Sequence, residues 1–265
     1  MRTYRIQDYK EAKVFVDHYM KFKREYAIIH YACQGFYSKS NETNPRIVAI
    51  CILFPQSMQK VLFSLATLAE IQNVDLHVAT EDELDSLEKE MLKDFYDFIK
   101  KQKREYIWLH WNMRDHFFGF TAIAHRYCKL HQKKKAPYVF DTDSQKNIAV
   151  LLKQRYGENY VQRPHQQNIF LLNNLNPKNL LSGEMEAQAY EKREFLAMDR
   201  SLEDKVAAFA EILDKVGNNE LKTNSRPLRD IYGFTFDGIV TYVKEHFVLS
   251  LICTVVFEII LSLVT

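Results

Sequence analysis

Three short stretches of this sequence hold side chains whose type and spacing could do chemistry. HWNMRD (110–115) offers His110, Asn112 and Asp115, VFDTD (139–143) offers Asp141 and Asp143, and Asp204 lies further along in a charged helical segment. Carboxylates gathered at strand ends can hold two divalent cations about 4 Å apart, which clamp the attacking and leaving oxygens of a phosphodiester. The same residues also read as caps: Asp115 before FFGF and Asp143 before SQKN would each close a helix N-terminus. Arg126 with Lys133, Lys134 and Lys135 could meet nucleic-acid phosphates. A basic helix C-terminus is equally what the helix dipole favours. Tyr156, Tyr160 and His165, near Arg155 and Arg163, would suit base stacking or plain surface packing. No phosphate-binding loop, dinucleotide fingerprint or nucleophile elbow occurs.

The elements that must position these groups follow from periodicity. Residues 8–24 carry apolar residues among charges, as in an amphipathic helix. AIIHYACQGFY (27–37) and RIVAICILF (46–54), separated by SKSNETNP, read as strand–turn–strand, and KVLFSLAT (60–67) completes a meander or begins a helix. Thr80 with Glu83 three residues on forms a capping box for a helix whose stripe is Leu84, Leu87, Met91, Phe95 and Phe98. YIWLHW (106–111) reads as a buried strand, residues 117–131 as a helix and PYVFD (137–141) as a short strand. Helices are expected over 145–156, 163–175 and 184–216.

With 265 residues, 47% of them hydrophobic and only 7 Gly and 6 Pro, the chain has material for a packed core. A net charge of +2 makes any basic footprint local. The scattered Cys33, Cys51, Cys128 and Cys253 suit buried thiols in a reducing compartment rather than a disulfide framework or a zinc knuckle. FVLSLICTVVFEIILSLV (247–264) is long enough to be expected to cross a membrane, which takes about 20 apolar residues. The cations upstream would keep the N-terminal part in the cytoplasm. Glu258 inside that run would cost about 2–3 kcal/mol and points to association of several tails. The organisation expected is an N-terminal helix (1–25), an α/β domain (26–216), a linker and interfacial segment (217–246) and a membrane helix (247–264). A helix buried in a soluble oligomer is the other reading of the tail.

Three strands, then helix, strand, helix, strand and helices, is the element order of the ribonuclease-H-like fold, a mixed sheet flanked by helices. Within that order WLHWNMRDHFFGFTAIAHRY, YVFDTDSQKNIAVLL and the segment from Ser182 to Leu213 resemble motifs of the DEDD-type 3′–5′ exonucleases. That resemblance implies catalytic and metal-binding roles for Asp115, Asp141 and Asp204, with His110 and Asn112 positioning substrate and magnesium or manganese as cofactor. The sequence departs from the pattern where the family's first strand carries Asp-x-Glu, since His30 and Ala32 stand there. His116 occupies the strict Asp position of the second motif, and Arg200 and Ser201 lie where a Tyr or His precedes the last Asp. A site so poor in carboxylates would hold a hard divalent cation weakly.

The function expected from these features is therefore a membrane-tethered, catalytically degenerate exonuclease-like domain that binds a nucleic-acid end or a nucleotide. Its layout resembles that of prokaryotic anti-phage membrane effectors, an analogy of architecture alone. An active, membrane-anchored 3′–5′ exonuclease and a non-enzymatic oligomerising adaptor are the alternatives.

Overall fold

The computed structural model describes residues 3–35, 45–102, 104–113, 118–175, 177–233 and 236–246, with short stretches at 251–252, 254–256 and 259–260. Five strands form one mixed sheet in the order β3-β2-β1-β4-β5, where β1 is Tyr26–Cys33, β2 Ile47–Phe54, β3 Gln59–Ser64, β4 Ile107–His110 and β5 Gln145–Asn147. β2 runs antiparallel to both β1 and β3, while β1, β4 and β5 are parallel. This order and sense are consistent with a ribonuclease-H-like fold.

Helices flank the sheet because its central strands are buried at nearly every position. All eight residues of β1 and seven of eight in β2 are buried, as expected of strands covered on both faces. α8 (Phe195–Gly217) packs across β1, β2 and β3, and α3 (Glu81–Lys101) lies against β2 and β3. α1 (Thr3–Lys21) packs on α5 (Ile148–Tyr156) and α8, contributing Ala12, Val16 and Tyr19 to the core. α2 (Leu65–Gln72) follows β3 directly, with Ser64 capping it by accepting from the Ala66 and Thr67 N–H groups. α4 (Phe120–His131) links β4 to β5. α6 (His165–Leu172), α7 (Gly183–Glu191) and α9 (Phe236–Glu245) are further helices among the described residues.

Three sequence expectations are corrected. PYVFD is no strand: Phe140 turns into the core against Trp108, Phe120 and Tyr138, and the pairing passes to Gln145–Asn147. The helix expected over 184–216 is two helices, broken where Arg193 adopts a left-handed φ of 56° and donates to the carbonyls of Leu76 and Ala79. The membrane-spanning helix is overturned as well. Among the described residues no helix is long and apolar enough to cross a membrane; α9, the nearest described element upstream of the apolar run, is ten residues long and ends at Glu245. The single-pass membrane location inferred from that run is withdrawn with it. Glu258 and the tail association it suggested lie outside the described residues.

Candidate functional site

β1 and β4 are parallel neighbours whose chains leave in opposite directions along the sheet, β1 toward β2 and β4 toward β5. A crevice opens at the carboxyl ends of such strands, where open α/β sheets place their ligands. Here it is a cavity of about 940 Å³, floored by His30, Trp111 and Phe118 and walled by α7 and the loops before α6 and α7. Gly35 lets α7 come this close, since a Cβ there would lie 2.7 Å from the Ala187 Cβ. A second groove, of about 1070 Å³, adjoins the first and shares Trp111, Asn112, Pro164 and Gln166 with it.

The inner end of the cavity is built from one residue of β1 and one ion pair between helices. His30 is 7% exposed, and its ring sits edge-on to Phe118 and Phe209 at 5.7 and 5.5 Å. Burial, then the Lys205 charge and His110, push its pKa well below the ordinary histidine range, so the imidazole is neutral. Its Nδ1 has no hydrogen-bond partner. Lys205, from α8, donates to Glu186 of α7 at 2.5 Å with its side chain only 6% exposed. Cys33 also lines the cavity, but burial, then the nearby carboxylates Glu186 and Glu88, push its thiol up, leaving it un-ionised. Trp111, 3% exposed, stacks on Phe209 with centroids 5.4 Å apart, and Phe118 on Tyr31 at 4.4 Å, giving the cavity an aromatic lining.

The residues expected from sequence fall in several places. Asn112 lines both cavity and groove, held in a left-handed turn by its N–H bond to the Asn147 Oδ1 at 3.2 Å. His110 ends β4 beside them, buried, its Nδ1 accepting from the Met113 N–H. Asp115 and His116 lie outside the described residues. Asp141 caps a 3₁₀ turn ahead of β5 and is exposed. It therefore stands at the amino end of that strand, across the sheet from the crevice. Asp204 faces the 174–179 loop, accepting from the Asn179 backbone and side-chain nitrogens at 3.0 and 3.1 Å. Its neighbour Lys205 is the α8 residue that reaches the cavity. Arg126 is 3% exposed and spends its guanidinium on Glu88 and Asp85, so it offers phosphates nothing. Lys133, Lys134 and Lys135 are exposed beyond the end of α4.

Among the described residues no group of three or more His, Cys, Asp or Glu is placed to hold a metal ion. The cavity's own candidates fit a hard divalent cation poorly: His30 is a buried neutral imidazole, and Glu186 is already neutralised by Lys205. Lys205, Glu186 and Gln166 carried no sequence signal, because only the packing of α6, α7 and α8 over β1 brings them together.

No family model, curated protein or solved structure matches the chain. With no described helix able to span a membrane, its identification as a membrane-anchored relative of the DEDD-type exonucleases is withdrawn. An α/β chain with a mixed five-stranded sheet flanked by helices is what stands.

Proposed function

We propose that this chain binds a nucleotide, or the end of a nucleic acid, in the cavity at the carboxyl ends of β1 and β4, without cleaving it. The observation that carries the proposal is the cavity's makeup at the sheet's switch point. Aromatic faces (Trp111, Phe118), amide edges (Asn112, Gln34, Gln166) and a lysine–glutamate pair converge there. Flat rings stack on any base at about 1–3 kcal/mol each, and amides pair with base edges. His30 on β1, and an Asp204 committed to the Asn179 loop, leave the described site without carboxylates grouped as metal-assisted hydrolysis needs. The layout that suggested an anti-phage membrane effector loses its support with the membrane helix.

The test is fluorescence anisotropy of the full chain with labelled single-stranded DNA and RNA oligonucleotides and with labelled nucleotides, in magnesium or manganese. Binding that weakens tenfold or more in Phe118→Ala and Asn112→Ala, with the oligonucleotide length unchanged, is expected. Metal-dependent shortening lost in Asp141→Ala and Asp204→Ala would establish an active nuclease instead. Absence of any binding would refute the proposal.

A further inference from the structure

The cavity's polar atoms say what part of a ligand it accepts. Two of them are buried and unpartnered: His30 Nδ1 on β1, and Gln166 Nε2 on α6, at the wall that cavity and groove share. Each such atom is costly while it stays unpaired, so a ligand whose hydrogen-bonding groups draw the ring and the amide toward the cavity gains affinity. His30 is neutral, and Lys205 is committed to Glu186. Among the described residues lining the cavity, Glu184, Glu186 and Glu191 outnumber Lys192 and Lys205, and there is no arginine. A phosphate placed there would face a carboxylate excess without the bidentate guanidinium that phosphate recognition favours. The adjoining groove is balanced rather than acidic. Its Arg5, Lys153 and Arg163 face Asp8, Glu158 and Asp230, with Lys153 paired to Glu158 and Arg163 exposed.

Resting on the reading above, we propose that the cavity takes the uncharged heteroaromatic part of its ligand, a nucleobase or nucleoside, and excludes phosphate, which stays in the groove at Arg163. The Lys205–Glu186 pair then acts as a charge filter: with its glutamate in place, the lysine is spent and offers an anion nothing.

The experiment titrates the full chain calorimetrically with nucleosides, their monophosphates and triphosphates, and inorganic phosphate. Nucleosides are expected to bind at least as tightly as the triphosphates, and inorganic phosphate is expected not to displace them. Gln166→Leu lowers nucleoside affinity tenfold or more. Glu186→Gln, nearly isosteric and therefore compatible with folding, frees Lys205 and raises the ratio of monophosphate to nucleoside affinity about tenfold. Arg163→Ala weakens the phosphorylated ligands alone. Triphosphates binding tenfold tighter than nucleosides, or Glu186→Gln leaving their ratio unaltered, would overturn the charge filter and leave the binding reading intact. If none of these ligands binds, the binding reading itself falls.

Discussion

Asp199, on α8, is 4% exposed and accepts from the Ser64 hydroxyl at 2.5 Å, while its second oxygen has no partner. Burial, outweighing the Ser64 hydrogen bond and helped by Glu203, raises its pKa from 3.8 to about 7. A carboxyl that holds its proton more tightly folded than unfolded stabilises the fold most when protonated. Its contribution therefore falls as pH rises from about 4 to about 7 and is level above. At about 1.4 kcal/mol for each tenfold change in proton affinity, that loss has a ceiling of about 4 kcal/mol. Asp199→Asn keeps an acceptor for Ser64 and removes the charge. It is expected to raise Tm at pH 8 and leave it unchanged at pH 4; an equal effect at both pH values in thermal scans would refute this. At this scale the sequence was a partial guide. It marked His30 as the residue standing where a metal ligand was expected, but Asp204 and Lys205 are adjacent, and only the seat of α8 decides which faces the cavity.

At the scale of elements, α3 was the most legible, since its start, stripe and end are all local. Thr80 accepts from the Glu83 N–H while the Glu83 carboxylate accepts from Thr80, and Leu84, Leu87, Met91 and Phe95 are buried at helical spacing. Thr80→Ala removes half of this box and is expected to cost about 1 kcal/mol, a Tm loss of about 2–4 °C for a chain of this size. Differential scanning calorimetry checks it, and an unchanged Tm would mean that packing alone fixes the helix start. β5 was illegible because Gln145–Asn147 has no apolar pattern; it pairs because Asn147 both caps α5 and holds Asn112. The break between α7 and α8 was equally hidden, because the carbonyls that hold Arg193 belong to a loop remote in sequence. The apolar run after α9 misled for a different reason. Hydropathy measures composition, and among the described residues no helix is long and apolar enough to cross a membrane.

Across the whole molecule, β2, α3 and α4 are tied by a buried ion cluster that no single segment announces. Arg126 Nε reaches both Glu88 oxygens at 2.8 Å, Asp85 joins both Arg126 and Arg46, and Glu88 also accepts from the Ile47 N–H. Burial opposes the Arg126 charge, but its bonds to Glu88, then the Asp85 charge, hold its pKa above the ordinary arginine range. Glu88 is fully buried, so Arg126→Ala leaves it only the Ile47 N–H and Arg46 Nε at 3.6 Å and is expected to cost about 3–5 kcal/mol. Replacing Arg126 and Glu88 together with methionine restores most of that loss. Guanidinium unfolding midpoints measure both, and a single substitution costing under about 1 kcal/mol would show the cluster to be slack. The two tryptophans are divided by the same architecture. Trp108 is sealed in the core against Tyr106 and Phe140, and Trp111 lies on Phe209 at the wall where cavity meets groove. The chain thus carries its own optical reporter. With Trp108 replaced by phenylalanine, the emission that remains comes from the one indole that lines both cavity and groove, so occupancy becomes readable without a label.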